Sequence, residues 1–158
     1  MKPHIIIFTT TLFLLSACSD KQPYLPTSAQ ESASSNYKNV RLLDDQNRTD
    51  VVLSTVYLNK VYPKYTDGYA HFLVAFYDPK NENELSFDNN DTEQGYRLLL
   101  GTQGALASEK LDDDDLLLDL MPISNSWNSY YYVRYAAPSA KPVLVLENDH
   151  TVKAVITY

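Results

Sequence analysis

One cysteine, Cys18, occurs in the 158 residues, so no intrachain disulfide can form and no cysteine cluster can hold a metal. Four glycines leave nothing from which to build a glycine-rich phosphate cradle. The three histidines, His4, His71 and His150, lack the ligand spacing of a zinc site. Beyond residue 18 no apolar run approaches the ~20 residues that cross a bilayer as a helix. No segment there keeps an i, i+3, i+4, i+7 apolar stripe for three turns either. Positive charge is scarce: 13 Lys and Arg stand against 20 Asp and Glu, a net charge of −7. That balance argues against nucleic acid, whose phosphates require clustered cations. Tyrosine is plentiful, at 13 against 5 Phe, and suits aromatic surfaces that are half wetted.

The first 18 residues read as an export signal. Lys2 supplies the positive start, Ile5–Leu15 the apolar stretch, and Ser16 and Ala17 the small residues before Cys18. A plain secretory signal cut elsewhere, with Cys18 incidental, is the alternative. Leu15-Ser16-Ala17-Cys18 resembles the lipobox of bacterial lipoproteins. The resemblance implies that the signal is removed just before Cys18 and that its thiol carries acyl chains such as palmitate. In enteric bacteria an Asp directly after that cysteine favours retention in the inner membrane. Here Ser19 follows, with Asp20 one place later, so the resemblance implies an outer-membrane anchor facing the periplasm. Each buried CH₂ adds about 0.8 kcal/mol, so several chains on one residue hold firmly where a single chain does not.

Residues 19–36 are polar, with Pro23, Pro26 and a Ser/Ala/Gln tail, and are expected to form a flexible tether. As a random coil they would reach roughly 23 Å. From Tyr37 onward, runs rich in Val, Leu, Tyr and Thr alternate with Asn/Asp/Pro/Lys clusters, which is the pattern of an all-β domain over 37–158. Strands are expected at Asn39–Leu43, Val51–Tyr62, Tyr69–Tyr77, Gly95–Leu100, Leu116–Leu120, Tyr130–Tyr135, Pro142–Leu146 and Val152–Tyr158. Phe72, Val74 and Phe76 mark a core face. Val51–Tyr62 favours neither face, which implies either a bulge or burial on both sides. About seven or eight strands in a domain of this size point to a single immunoglobulin-like or transthyretin-like β-sandwich. Leu120-Met121-Pro122 followed by Tyr130–Tyr135 resembles the tyrosine-corner region of immunoglobulin-like domains.

Candidate chemistry is sparse. Asp112–Asp115, with Glu109 and Asp119 nearby, and the oxygen-rich run Asp88–Gly95 invite a calcium reading. Neither has the EF-hand spacing, and a solvated acidic turn is the simpler expectation. His71 and Asp67 could serve as base and orienting acid, but no Gly-x-Ser-x-Gly turn supplies a nucleophile. No cofactor and no enzymatic activity is therefore expected. The aromatic group is the stronger binding candidate. Trp127, Tyr130, Tyr132 and Arg134 are expected to face outward, with Tyr131, Val133 and Tyr135 inward. Trp, Tyr and Arg dominate binding hot spots because each joins area to a polar handle. A cross-strand aromatic ladder is the alternative. The expected function is a membrane-anchored periplasmic binding or assembly lipoprotein that docks an envelope protein. At fold level it would resemble the small sandwich lipoproteins of secretion machines. The alternative is an immunity protein or inhibitor that neutralises a periplasm-targeting toxin or hydrolase, its acidic surface steering a basic partner.

Overall fold

The computed structural model describes residues 27–80, 84–91, 95–137 and 140–158. The signal, Cys18 and the first part of the expected tether lie outside those residues. The domain is an all-β sandwich. One sheet runs in the order β1 (Tyr37–Leu43), β2 (Thr49–Tyr57), β3 (Ala70–Tyr77), β7 (Ser129–Tyr135) and β6 (Ala107–Lys110). The other runs β4 (Leu85–Ser86), β5 (Tyr96–Leu100), β8 (Val143–Asn148) and β9 (Thr151–Thr157). All neighbours are antiparallel except β4 and β5.

Between the sheets lies the main core. Phe72, Val74 and Phe76 of β3 meet Val51 and Leu53 of β2 and Val133 and Tyr135 of β7, with Leu98, Leu144, Leu146 and Ile156 opposite. The period-2 alternation of β3 and β7 thus places the expected residues inward. Tyr135 is wholly buried, and its hydroxyl donates to the Leu98 carbonyl of the facing sheet at 2.7 Å.

A second core covers the outer face of the five-stranded sheet. Val56, Leu73, Ala75 and Tyr130 pack there beneath a helix, α1 (Thr27–Ser35), and the 3₁₀ turns η1 (Leu58–Lys60), η2 (Pro63–Tyr65) and η3 (Leu116–Leu120). Helix α1 takes residues 27–35 out of the expected tether. Its Ala, Gln and Glu favour helix, but its buried side is only Ala29 and Ala33, one turn apart, too slight a stripe to register as apolar periodicity. Asn36 ends it, donating from both its backbone and its side-chain nitrogen to the Ser32 carbonyl. The covering layer also settles Val51–Tyr62, which is buried on both sides through Tyr57 and then turns into η1.

Leu116–Leu120, expected as a strand, is the 3₁₀ turn η3. Asp115 caps it, its Oδ1 accepting from the Leu117 amide at 2.8 Å, and only Leu120 is fully buried. A leucine run fits both periods, and the capping acid decided between them. Two strands had no sequence signal. β4 has two residues, and β6 is an exposed edge (Ala-Ser-Glu-Lys) with no apolar face to alternate.

Candidate functional site

The five-stranded sheet's outer face carries the chemistry, in two adjoining places. The first is the loop from Met121 to Asn128, which leads into β7. Tyr130, at the start of that strand, is only 3% exposed. Its hydroxyl donates to the Asn125 carbonyl (2.9 Å) and accepts from the Asn125 amide (2.7 Å) and from Asn128 Nδ2 (3.2 Å), which uses all its hydrogen-bonding capacity. Asn125 Oδ1 in turn accepts from the amides of Trp127 (3.0 Å) and Asn128 (3.1 Å). The hydroxyl thus ties the start of the strand back to the backbone of the preceding loop. Tyr130 therefore does not face outward as expected: the layer of helix and 3₁₀ turns buries it. Its work is to fix the loop. At the tip Trp127 stands 75% exposed, with Ile123 at 62% on the same loop. Beside it Leu116, Asp113–Asp115, Asp119 and Ser124–Ser126 line a depression of about 410 Å³.

The second place is a cleft of about 330 Å³ between η2 and the β6–β7 pair. Strand register builds it. His71 on β3 lies opposite Arg134 on β7, and Tyr132 two residues earlier lies opposite Glu109 on β6. Gly68, at φ +88°, turns the chain so that Asp67 reaches back to the strand. Asp67 Oδ1 accepts from the Tyr69 amide (3.1 Å) and from His71 Nε2 (2.7 Å). His71 Nδ1 meets the Tyr132 hydroxyl at 2.6 Å. The His71 hydrogen bond, together with the Tyr69 amide, holds the Asp67 carboxyl below the usual carboxylate range, against an opposing effect of burial. Asp67 is thus an ionised acceptor at neutral pH and Nε2 carries the proton. In a neutral imidazole Nδ1 must then accept, so Tyr132 donates to it.

Asp67, His71 and Tyr132 thus form a hydrogen-bonded chain of acid, imidazole and phenol that engages both ring nitrogens of His71. Burial raises the Tyr132 phenol above its ordinary value and pushes Tyr65, aided by Asp115, up to about 12. Both phenols stay protonated at neutral pH. Arg134, half-buried, stacks over the Tyr69 ring at 5.0 Å, and its Nε is buried with no hydrogen-bond partner among the described residues.

Of the four residues expected to face outward, Trp127 does, Tyr132 and Arg134 line the cleft, and Tyr130 is core. Tyr131, Val133 and Tyr135 lie on the inner face as expected. Lys64, Tyr65 and Glu109 line the cleft, and Tyr69 meets Arg134 beside it, through tertiary register that the sequence does not display. Asp67-Gly68 with His71 at i+4 was the local signal within reach.

Among the described residues no group of three His, Cys, Asp or Glu side chains could hold an ion. In Asp88–Gly95, of which residues 92–94 lie outside the described set, Asp88 Oδ1 accepts from the Asn90 amide, as in a polar turn. A larger groove than these two, about 980 Å³, runs between β4 and β6 along Ser86–Asp91 and Thr102–Ser108. Its one buried charge is satisfied, because Arg97 pairs with Glu147 at 2.8 Å and donates to the carbonyls of Asn89 and Asp91. Comparison with family models, curated proteins and solved structures gives no match.

Proposed function

We propose that this protein is a lipid-anchored docking module of the bacterial envelope, without enzymatic activity, held at the outer membrane through Cys18 and facing the periplasm. The reading rests on Leu15-Ser16-Ala17-Cys18 for the anchor and on the Trp127 loop for the docking. The observation that carries the docking is an exposed tryptophan on a loop whose backbone is clamped by a buried tyrosine. An indole in water has no stabilising role in the fold. Fixing the backbone that carries it lowers the ordering cost of binding, which favours a hot-spot anchor.

The acids Asp113, Asp114 and Asp119 beside the loop support a second reading, an immunity protein or inhibitor that draws a basic toxin or hydrolase. A photo-crosslinking amino acid at Ile123, in the full-length protein in cells, tests both. A discrete adduct that Trp127→Ala abolishes is expected, with affinity for the captured partner falling by about 30-fold or more. An adduct indifferent to Trp127→Ala, or none at all, would overturn the docking reading. Identification of the adduct as an envelope assembly component or a secreted toxin separates the two readings.

A further inference from the structure

We propose that the cleft beside Arg134 binds a small zwitterion of the amino-acid type, its carboxylate taken by Arg134 and its ammonium by Glu109. The proposal goes beyond partner docking and does not depend on it.

Arg134 is the first ground. Its Nε is buried with no partner, and no hydrogen bond or ion pair engages its guanidinium among the described residues. The Tyr69 ring lies 5.0 Å from the guanidinium carbon, and no described group engages the two Nη atoms. A planar fork of donors left open in this way matches a carboxylate. Buried donors are normally satisfied, so an orphan beside a cavity calls for an acceptor from outside.

Charge supplies the second ground. The cleft is lined by Lys64, Arg134, Asp67, Glu109 and Asp115. Asp67 is engaged by His71 and the Tyr69 amide. Asp115 accepts from the Leu117 amide and Lys64 stands over the Tyr62 and Tyr65 rings, so Arg134 and Glu109 are the opposite charges left to face a ligand, a balance that favours neither a simple anion nor a simple cation. Glu109 lies opposite Tyr132 and diagonal to Arg134 across the β6–β7 pair, so the charges of opposite sign are adjacent without pairing. Tyr132 adds an acceptor, because its proton is committed to His71 Nδ1. The volume, about 330 Å³, is at the small end of ligand sites and fits an amino acid or dipeptide.

The same chemistry is offered by a free dipeptide and by a protein C-terminus that ends in lysine. Titration of the isotope-labelled full-length protein in detergent, read by NMR at the Arg134 Nε–H, distinguishes them. The probes are diglycine, an acetylated hexapeptide with a free C-terminal lysine, N-acetylglycine and glycinamide. Saturable binding of diglycine is expected for a small-molecule site, and of the hexapeptide alone for a chain-end site. N-acetylglycine and glycinamide, each lacking one charge, should bind at least about tenfold more weakly. Arg134→Gln and the exposed Glu109→Gln should each cost a similar factor without lowering the melting temperature. Trp127→Ala should leave the titration unchanged. No saturable shift with either zwitterion, equal binding of the singly charged analogues, or indifference to both Gln variants would overturn the assignment.

Discussion

Tyr135 and Asp50 show how single polar groups are tied into the sandwich. The Tyr135 hydroxyl crosses the core to the Leu98 carbonyl, and Tyr135→Phe, which removes only that bond, should cost about 1 kcal/mol in chemical denaturation. Val133, on the same face and fully buried, loses packing instead, and Val133→Ala should cost roughly 1–3 kcal/mol. Asp50 Oδ2 accepts from the Tyr96 hydroxyl at 2.6 Å and Oδ1 from Lys80 Nζ at 3.0 Å, and these bonds, Tyr96 first, hold its carboxyl below the usual range. Because the folded pKa is the lower one, the contribution is complete above the unfolded value of about 3.9 and is lost as pH falls through the folded value. Asp50→Asn should therefore be less stable than wild type at neutral pH, with the difference shrinking below about pH 4. Denaturant titrations across that range check it. A difference independent of pH would show that the lost stability comes from packing.

At the scale of elements, the strands that were legible in the sequence bury one clear apolar set, as Phe72, Val74 and Phe76 do. Elements that were not legible are stabilised by something outside their own residues. Strand β6 exists because β7 offers it an edge, and α1 because the outer face of β2, β3 and β7 needs cover. Leu116–Leu120 matched strand alternation but yielded to the Asp115 cap. The same covering layer explains why the two faces of β7 were separated correctly while the outer one was read as wet: alternation tells which residues share a face, not what lies over it. The candidate site was legible to the same degree. Trp127, Tyr132 and Arg134 could be singled out, whereas Lys64, Tyr69 and Glu109 depend on register. Helix α1 yields a direct prediction. A chain that begins at Tyr37 should be roughly 2–4 kcal/mol less stable than one that begins at Thr27, from about 100–150 Å² of apolar surface newly wetted. Equal melting of the two would mean that the helix contributes nothing to the second core.

For the whole molecule, the proposed function joins a lipid anchor at Cys18 to an exposed aromatic loop on the folded domain. Cys18→Ser should abolish incorporation of a palmitate analogue in cells and leave an uncleaved precursor. Labelling as strong as wild type would remove the anchor from the proposal. The claim on which the rest depends is that Trp127 is held in place and yet open to water. Trp127 is the only tryptophan in the chain, so its fluorescence reports that loop without labelling. Time-resolved anisotropy with iodide quenching of the full-length protein measures both properties at once. The account predicts quenching close to that of the unfolded chain, with the indole tumbling at the rate of the whole domain, and a fast local component appearing in Tyr130→Phe, where the clamp on Asn125 is gone. An indole shielded from iodide, or one that already spins freely in the wild type, would contradict it.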